Sequence, residues 1–311
     1  MKKTFVLTAL AATLAAPAFA QSSVTIYGRL NVTLERSEFG NADATTDLND
    51  NSSRIGFKGV EDLGGGLKAG FQIEHGFDAT TGRAGSSFWG RQSEVNLSGG
   101  FGMIRLGNFT SEAYFATADY VSMHNHDTGL SSDGLYADAN FFNHVNKVAY
   151  RTPEMGGFWA EAAVLEGDGI GERGYDLAAN YTAGDLHLGA GFSKLDNINQ
   201  FAVSALYTMG NVTVGGYIQR DKNAWGINGS RTNFRLTGMY TMGATELHAN
   251  FGLAGDIGDV NDSGANQLTL GVNQNLSKRT KVYGYYSKVS ADSSAPYVDR
   301  SHLAIGVRHN F

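Results

Sequence analysis

Residues 24–34 read Val-Thr-Ile-Tyr-Gly-Arg-Leu-Asn-Val-Thr-Leu, and their side chains sort by parity. Val24, Ile26, Leu30, Val32 and Leu34 take the even positions; Thr25, Tyr27, Arg29, Asn31 and Thr33 take the odd ones. Successive side chains of a strand point to opposite faces, so this period of two specifies a strand with one apolar and one polar face. The beat returns at Leu67, Ala69, Phe71 and Ile73 against Lys68, Gly70, Gln72 and Glu74, and at Leu303, Ile305, Val307 and Phe311 near the end. Past residue 20 no apolar run reaches the roughly 18 residues of a membrane-spanning helix.

The pattern predicts sixteen strands at about 23–35, 53–61, 67–77, 89–98, 102–110, 145–152, 158–166, 174–183, 186–195, 200–208, 212–220, 231–242, 245–255, 265–276, 280–289 and 301–311. Most are about 9–12 residues long, the length a tilted strand needs to cross hydrocarbon. The fifteen connections alternate in kind. Seven are tight, at 62–66, 98–102, 153–157, 183–185, 209–211, 243–244 and 277–279. Eight read as long and polar, at 36–52, 78–88, 111–144, 167–173, 196–199, 221–230, 256–264 and 290–300. Short turns on one side and long loops on the other are the signature of outer-membrane barrels. The fold expected is all-β: a 16-stranded antiparallel transmembrane barrel, closed because hydrocarbon leaves no partner for an open sheet edge.

Composition fits that map. Glycine makes up 41 of 311 residues, about twice its usual share. Beyond the leader, the two remaining prolines, Pro153 and Pro296, fall in connections, where a missing N–H breaks no ladder. The chain has no cysteine, which excludes disulfides and cysteine-based zinc sites. Lys2 and Lys3, an apolar stretch from Phe5 to Ala16, and Ala18-Phe19-Ala20 form a secretory leader. Residues 1–20 are thus expected to be cleaved, leaving 21–311 as one barrel with net charge −8 rather than −6. Tyr181-Thr-Ala-Gly184, Tyr207-Thr-Met-Gly210 and Tyr240-Thr-Met-Gly243 each end a strand before a tight turn. Their tyrosines are expected to form a periplasmic aromatic girdle, ring in lipid and hydroxyl among headgroups.

Longer motifs run through the whole chain. They are Ser23-Val-Thr-Ile-Tyr-Gly28, the block from Ser53-Arg-Ile-Gly-Phe-Lys58 through Glu61-Asp-Leu-Gly-Gly-Gly-Leu-Lys68, Gln72-Ile-Glu74 and Arg91-Gln92. Leu97-Ser-Gly-Gly-Phe-Gly102, Leu106-Gly107, Pro153-Glu-Met-Gly-Gly-Phe158 and the terminal Gly306-Val-Arg-His-Asn-Phe311 complete them. In these residues the sequence resembles the trimeric general-diffusion porins of Gram-negative bacteria, of the β-proteobacterial type. The resemblance implies a homotrimer in the outer membrane, a third loop folded into the pore, and a Phe311 that belongs to the C-terminal signal read by the barrel-assembly machinery.

A water-filled pore needs no catalytic group; it needs a constriction and a field that sorts charge. The chain is therefore not expected to be an enzyme. Arg29, Arg54 and Lys58 share the polar parity of the first two strands, and Glu74 that of the third. The resemblance puts Arg29, Arg54, Lys58 and Arg91 on a basic wall and Glu74 in the lumen. Parity and resemblance disagree at Arg91, whose positional class contains Val95 and Leu97, while Gln92, Glu94 and Asn96 form the other. A bulge or a later strand start would reconcile them. Glu94 departs from the family pattern, which has an aromatic there. The loop 111–144 carries Glu112, Asp119 and Asp127, which, folded inward, would face the arginines and set a transverse field. Asn108 and Asn143 stand where relatives often carry arginine, and the outer loops are acidic, so a weak cation preference is expected.

The function expected is passive diffusion of ions and small hydrophilic solutes. The alternatives are a substrate-specific channel for sugars or dicarboxylates, to which Tyr114, Phe115, Tyr120, Tyr136, Phe141 and Phe142 would offer an aromatic path, and a non-conducting adhesin. No cofactor and no dedicated metal site are expected, and His124-Asn-His126 reads as ordinary loop. The acidic loops supply oxygens of the kind Ca²⁺ takes. Outer-membrane lipid and lipopolysaccharide are the expected surroundings, and nothing points to nucleic acid.

Overall fold

The computed structural model describes residues 23–119, 133–137, 145–165 and 173–311. The expected leader, 1–20, lies outside them. Seventeen strand segments form one antiparallel sheet. They are β1 (Ser23–Phe39), β2 (Thr45–Asp50), β3 (Arg54–Gly64), β4 (Leu67–Gly76), β5 (Gln92–Gly99), β6 (Gly102–Phe109), β7 (Val145–Arg151), β8 (Phe158–Leu165) and β9 (Gly174–Ala183). After these come β10 (Leu186–Leu195), β11 (Ile198–Met209), β12 (Val212–Lys222), β13 (Ser230–Met242), β14 (Thr245–Ala254), β15 (Ala265–Asn275), β16 (Thr280–Ala291) and β17 (Arg300–Asn310). Each pairs with its neighbours, and β17 returns to β1 from Arg29↔Asn310 to Phe39↔Arg300, which closes the barrel.

Sixteen wall positions hold these seventeen segments, because β2 and β3 share one. The upper part of β1 pairs with β2 and the lower part with β3. Between the two ladders Leu30 and Asn31 oppose Asn51, Ser52 and Ser53, a one-residue bulge, with Ser52 at φ +61°. Polar side chains replace the missing ladder bonds. Asn31 N donates to Ser53 Oγ at 3.0 Å, Asn31 Nδ2 to Asn51 O at 3.0 Å, and Asn51 Nδ2 to Thr33 Oγ1 at 2.7 Å. The extra residue also reverses parity, so that even-numbered Leu48 and odd-numbered Phe57 both lie opposite outward residues of β1. The long connection expected at 36–52 is thus largely a ladder that extends the barrel wall.

Connection 196–199 also differs from expectation. β10 and β11 are joined by Asp196 and Asn197 alone, with Asp196 at φ +53°, a conformation aspartate tolerates. On the opposite rim the turns behave as read. Gly184, Gly210 and Gly243 sit at φ +57°, +58° and +58°, where a Cβ would strain the chain. Tyr181, Tyr207 and Tyr240 stand beside these turns on the outward face, 39%, 44% and 44% exposed. The seam closes on the last residue. Gly28 N donates to Phe311 O at 3.0 Å and Phe311 N to Gly28 O at 3.1 Å. The Phe311 ring lies where a Gly28 side chain would stand.

Candidate pore constriction

The inward faces of β1, β3 and β4 gather most of the expected basic wall. Arg29 Nε donates to Asn310 Oδ1 at 3.2 Å, across the seam. Lys58 Nζ stands 5.3 Å from the centroid of the Tyr27 ring, and Gln72 Nε2 donates to the Tyr27 hydroxyl at 2.7 Å. Glu74, buried on β4, takes two guanidinium groups on one oxygen. Arg91 Nε is 2.6 Å and Arg54 Nη1 3.7 Å from Oε1. Arg54, Glu74 and Arg91 therefore form one unit rather than a basic wall with a separate acid.

The conflict over Arg91 dissolves in the strand boundary. β5 begins at Gln92, so Arg91 lies in the preceding bend and is not bound by strand parity. Its side chain passes over Gly76, where a Cβ would come within 2.9 Å of Cδ. Glu94 points inward as alternation requires and meets Arg105 Nη2 at 2.6 Å. Both residues thus reach the lumen.

The two described limbs of the third loop, 111–119 and 133–137, fold into the barrel. Glu112–Tyr114 make one helical turn (α1), capped by Ser111, and Phe115–Asp119 continue it as a π turn. This limb lies on β9, β10 and β11. Ala113 N donates to Asp176 Oδ1 at 3.2 Å, Ser111 Oγ bonds the same carboxylate, and Ser204 Oγ donates to Ala116 O at 2.8 Å. Gly189 and Gly191 permit the approach, because a Cβ on either would overlap the carbonyl oxygens of Ala116 and Ala113. The far limb, Asp133–Ala137, is bolted to β12, β13 and β15. Asp133 pairs with Arg235 at 2.8 Å and accepts from the Tyr217 hydroxyl. Gly134 N donates to Gln267 Oε1 at 3.0 Å, and Ala137 N to Gln219 Oε1 at 2.8 Å.

The acids of this loop occupy different places. Glu112 is buried and turned toward the wall formed by β6 and β7, 2.6 Å from Arg151 Nη2 and 3.9 Å from Arg105 Nη1. It anchors the loop there, on Arg151 and Arg105, two bases other than the four named for the basic wall. Burial raises its pKa to about 7, with Glu161 and Asp176 adding to the rise and Arg151 and Arg105 opposing it. Asp119 ends the π turn, half-buried and engaged in an interaction of its own. Asp127, Tyr120, His124, His126, Phe141, Phe142 and Asn143 lie outside the described residues.

Several charged residues that the sequence reading passed over complete the lumen. Arg105 bridges Glu94 and Glu161, the latter at 3.1 Å, and Arg151 meets Glu161 at 2.8 Å. Arg231 is fully buried where outer segments converge. It pairs with Asp221 at 3.3 Å, donates to Leu135 O at 2.8 Å and to the Tyr297 hydroxyl, and stacks 4.5 Å from the Trp225 ring. Parity could have marked Arg105, Arg231 and Arg235 as inward; only the landing place of the loop shows what they hold. Among the described residues no group of three or more His, Cys, Asp or Glu is arranged to hold a metal ion. Asp256 Oδ1 instead accepts from Ser263 N at 2.8 Å and Gly264 N at 3.1 Å.

Comparison with known proteins places this architecture. The model of the Gram-negative porin family matches residues 6–294. The chain is 31% identical over 321 residues to outer membrane porin protein 32 of Delftia acidovorans, covering 91% of this chain and 88% of that one. Its fold superposes on an anion-selective porin from Comamonas acidovorans with a TM-score of 0.77 and 25% identity, over 94% of this chain and 100% of the other. It also superposes on the trimer form of OmpT from Vibrio cholerae, with a TM-score of 0.72 and 19% identity, over 93% and 99% of the two chains.

Proposed function

Because the chain belongs to the Gram-negative porin family, we propose that it assembles as a homotrimer of water-filled channels that pass ions and small hydrophilic solutes without chemical turnover. Outer-membrane location and channel function belong to the family reading; the trimer, the general-diffusion character and the sign of selectivity are the further steps. Support for the trimer comes from the trimeric neighbour in the same fold. Residues 1–20 act as a leader cleaved before Gln21, and Phe311, seated in the seam, serves as the recognition end for barrel assembly.

The observation that carries the selectivity is Glu74 between Arg54 and Arg91. One carboxylate amid two of the four expected bases cuts the positive field of that wall, and the long connections add further aspartates at the mouth, including Asp43, Asp256, Asp259 and Asp262. A fixed field at a narrow aqueous passage sorts ions by sign. The proposal is a weak cation preference. The anion selectivity named for the Comamonas porin favours the opposite sign as second reading.

Single-channel recording tests the channel: three equal conductance steps per insertion are expected, and no conductance would overturn it. Reversal potential in a salt gradient tests the sign, with anion preference as the overturning result. Liposome swelling with graded solutes tests general diffusion. A smooth decline with size supports it, and one solute far above the curve would make the channel substrate-specific.

A further inference from the structure

The outer surface of β9–β12 sorts its charges by sign. On the strands and flanking residues at the long-loop end, Arg173, Lys194, Arg220 and Lys222 are exposed and share the outward parity of Tyr175, Phe201 and Ile218. The two acids of these strands, Asp176 and Asp221, take the inward parity and are buried in the lumen. Among the described residues none of the four bases is in an ion pair. Among the described residues Asp196, at the hairpin tip, is the exposed acid beside them.

Register brings the bases together. Asn199 pairs with Lys194 on one side and Lys222 on the other. Two strand spacings separate these lysines, about 10 Å between Cα atoms. Arg220 lies one outward row below, opposite Phe201, and donates to Thr232 Oγ1 at 2.9 Å. Arg173 lies two residues beyond Tyr175, the partner of Lys194. The short Asp196–Asn197 turn, in place of a long loop, leaves this rim uncovered by its own connection.

The height of the patch identifies what it meets. Tyr207 pairs with Val214 at the girdle, and Lys222 stands eight residues further along β12. Eight residues of a strand tilted 35–45° rise about 20 Å along the membrane normal, close to the roughly 25 Å apolar band of such barrels. Between lie Leu177, Phe201, Val203 and Ile218, all exposed and apolar. The four cations therefore cap the lipid band at the outer leaflet. We propose that Arg173, Lys194, Arg220 and Lys222 form a binding site for the phosphoryl groups of an anionic outer-leaflet lipid. This rests on the outer-membrane reading and adds a defined ligand site to it.

The test uses the folded full-length protein in detergent with bis-phosphorylated lipid A as probe, read by native mass spectrometry. K194Q/R220Q/K222Q should weaken lipid binding by about tenfold or more, since each base near an anionic surface counts separately. K194R/R220K/K222R should bind as wild type. Fully dephosphorylated lipid A should bind wild type no better than phosphorylated lipid A binds the glutamine variant. Equal binding by the wild type and glutamine variant would overturn the site, as would binding that follows acyl chains alone. Displacement of the lipid by equimolar inorganic phosphate would assign the patch to free phosphate and overturn the lipid. Should the triple variant not fold, Asn199→Glu sets an acid between the two lysines, and undiminished binding there is equally decisive. None of these residues lines the pore, so unchanged conductance in each variant separates this test from that of the channel.

Discussion

The ring of Tyr283 on β16 lies flat across Gly306 on β17. Its Cζ and hydroxyl oxygen come 2.5 and 2.7 Å from the place a Gly306 Cβ would occupy. The hydroxyl reaches over the strand to donate to Asn31 Oδ1 on β1 at 2.7 Å. Tyr285 likewise reaches Glu35 across Ala304, with its hydroxyl 2.8 Å from Oε1. Tyr27 lies over Gly56 in the same manner. Small residues on this wall let inward tyrosines lie along it instead of across the passage.

Gly306→Val should therefore lift Tyr283 off the wall. Overpacking of this kind costs about 1–3 kcal/mol, and the displaced ring has the lumen to move into. Single-channel conductance should fall, and Gly306→Val with Tyr283→Ser should restore it. Unchanged conductance in the single variant would show that the ring does not bound the passage.

Glu74→Gln should move selectivity toward anions. The substitution keeps the shape of the side chain and removes the charge between Arg54 and Arg91. The shift in reversal potential should be clear at 0.1 M salt and shrink toward 1 M, as the screening length falls from about 10 Å to about 3 Å. A variant with the wild-type reversal potential at both salt concentrations would remove Glu74 from the selectivity argument.

The fold was legible because alternation is local. Val24 to Leu34 announce a half-lipid strand without reference to any other segment. What lay beyond reach depends on neighbours far along the chain. The bulge at Asn51–Ser53 is held by Asn31 and Thr33, about twenty residues back. It turns an expected loop into wall. Arg91 was ambiguous because a strand boundary shifted by a few residues changes which rule applies to it. Arg54, Lys58 and Glu74 could be placed inward from parity alone. Glu112 could be placed on the loop but not given a partner, since Arg151 and Arg105 are set by where the loop lands.

Glu112 makes the loop anchorage sensitive to pH. Its carboxyl, ordinarily near 4.5, is raised to about 7, chiefly by burial. The facing charges are Arg105, Lys147 and Arg151 against Glu161 and Asp176, with Glu94 held on the other side of Arg105. With the folded pKa above the unfolded one, the folded state holds the extra proton between pH 4.5 and 7. Stability therefore falls as pH rises through that window and levels off above it. Melting temperature should show this slope in wild type, and Glu112→Gln should flatten it. A variant that keeps the full wild-type slope would assign the proton elsewhere.

Arg231 is the site at which a single truncation should cost most. Its side chain and that of Asp221 are 0% and 1% exposed, so removing one leaves the other charge buried without its partner. Breaking such a pair from one side costs about 3–5 kcal/mol. The same guanidinium holds Leu135 of the third loop, Tyr297 of the connection between β16 and β17, and Trp225 of that between β12 and β13. Arg231→Ala should lower the unfolding free energy measured in urea by that amount and make the open-channel current noisier, because three segments lose a common support. Tyr297→Phe removes one hydroxyl and keeps the ring stack, so it should cost about 1 kcal/mol and leave the current quiet. Equal noise in the two variants would mean that the stacked rings do not depend on Arg231 for their position.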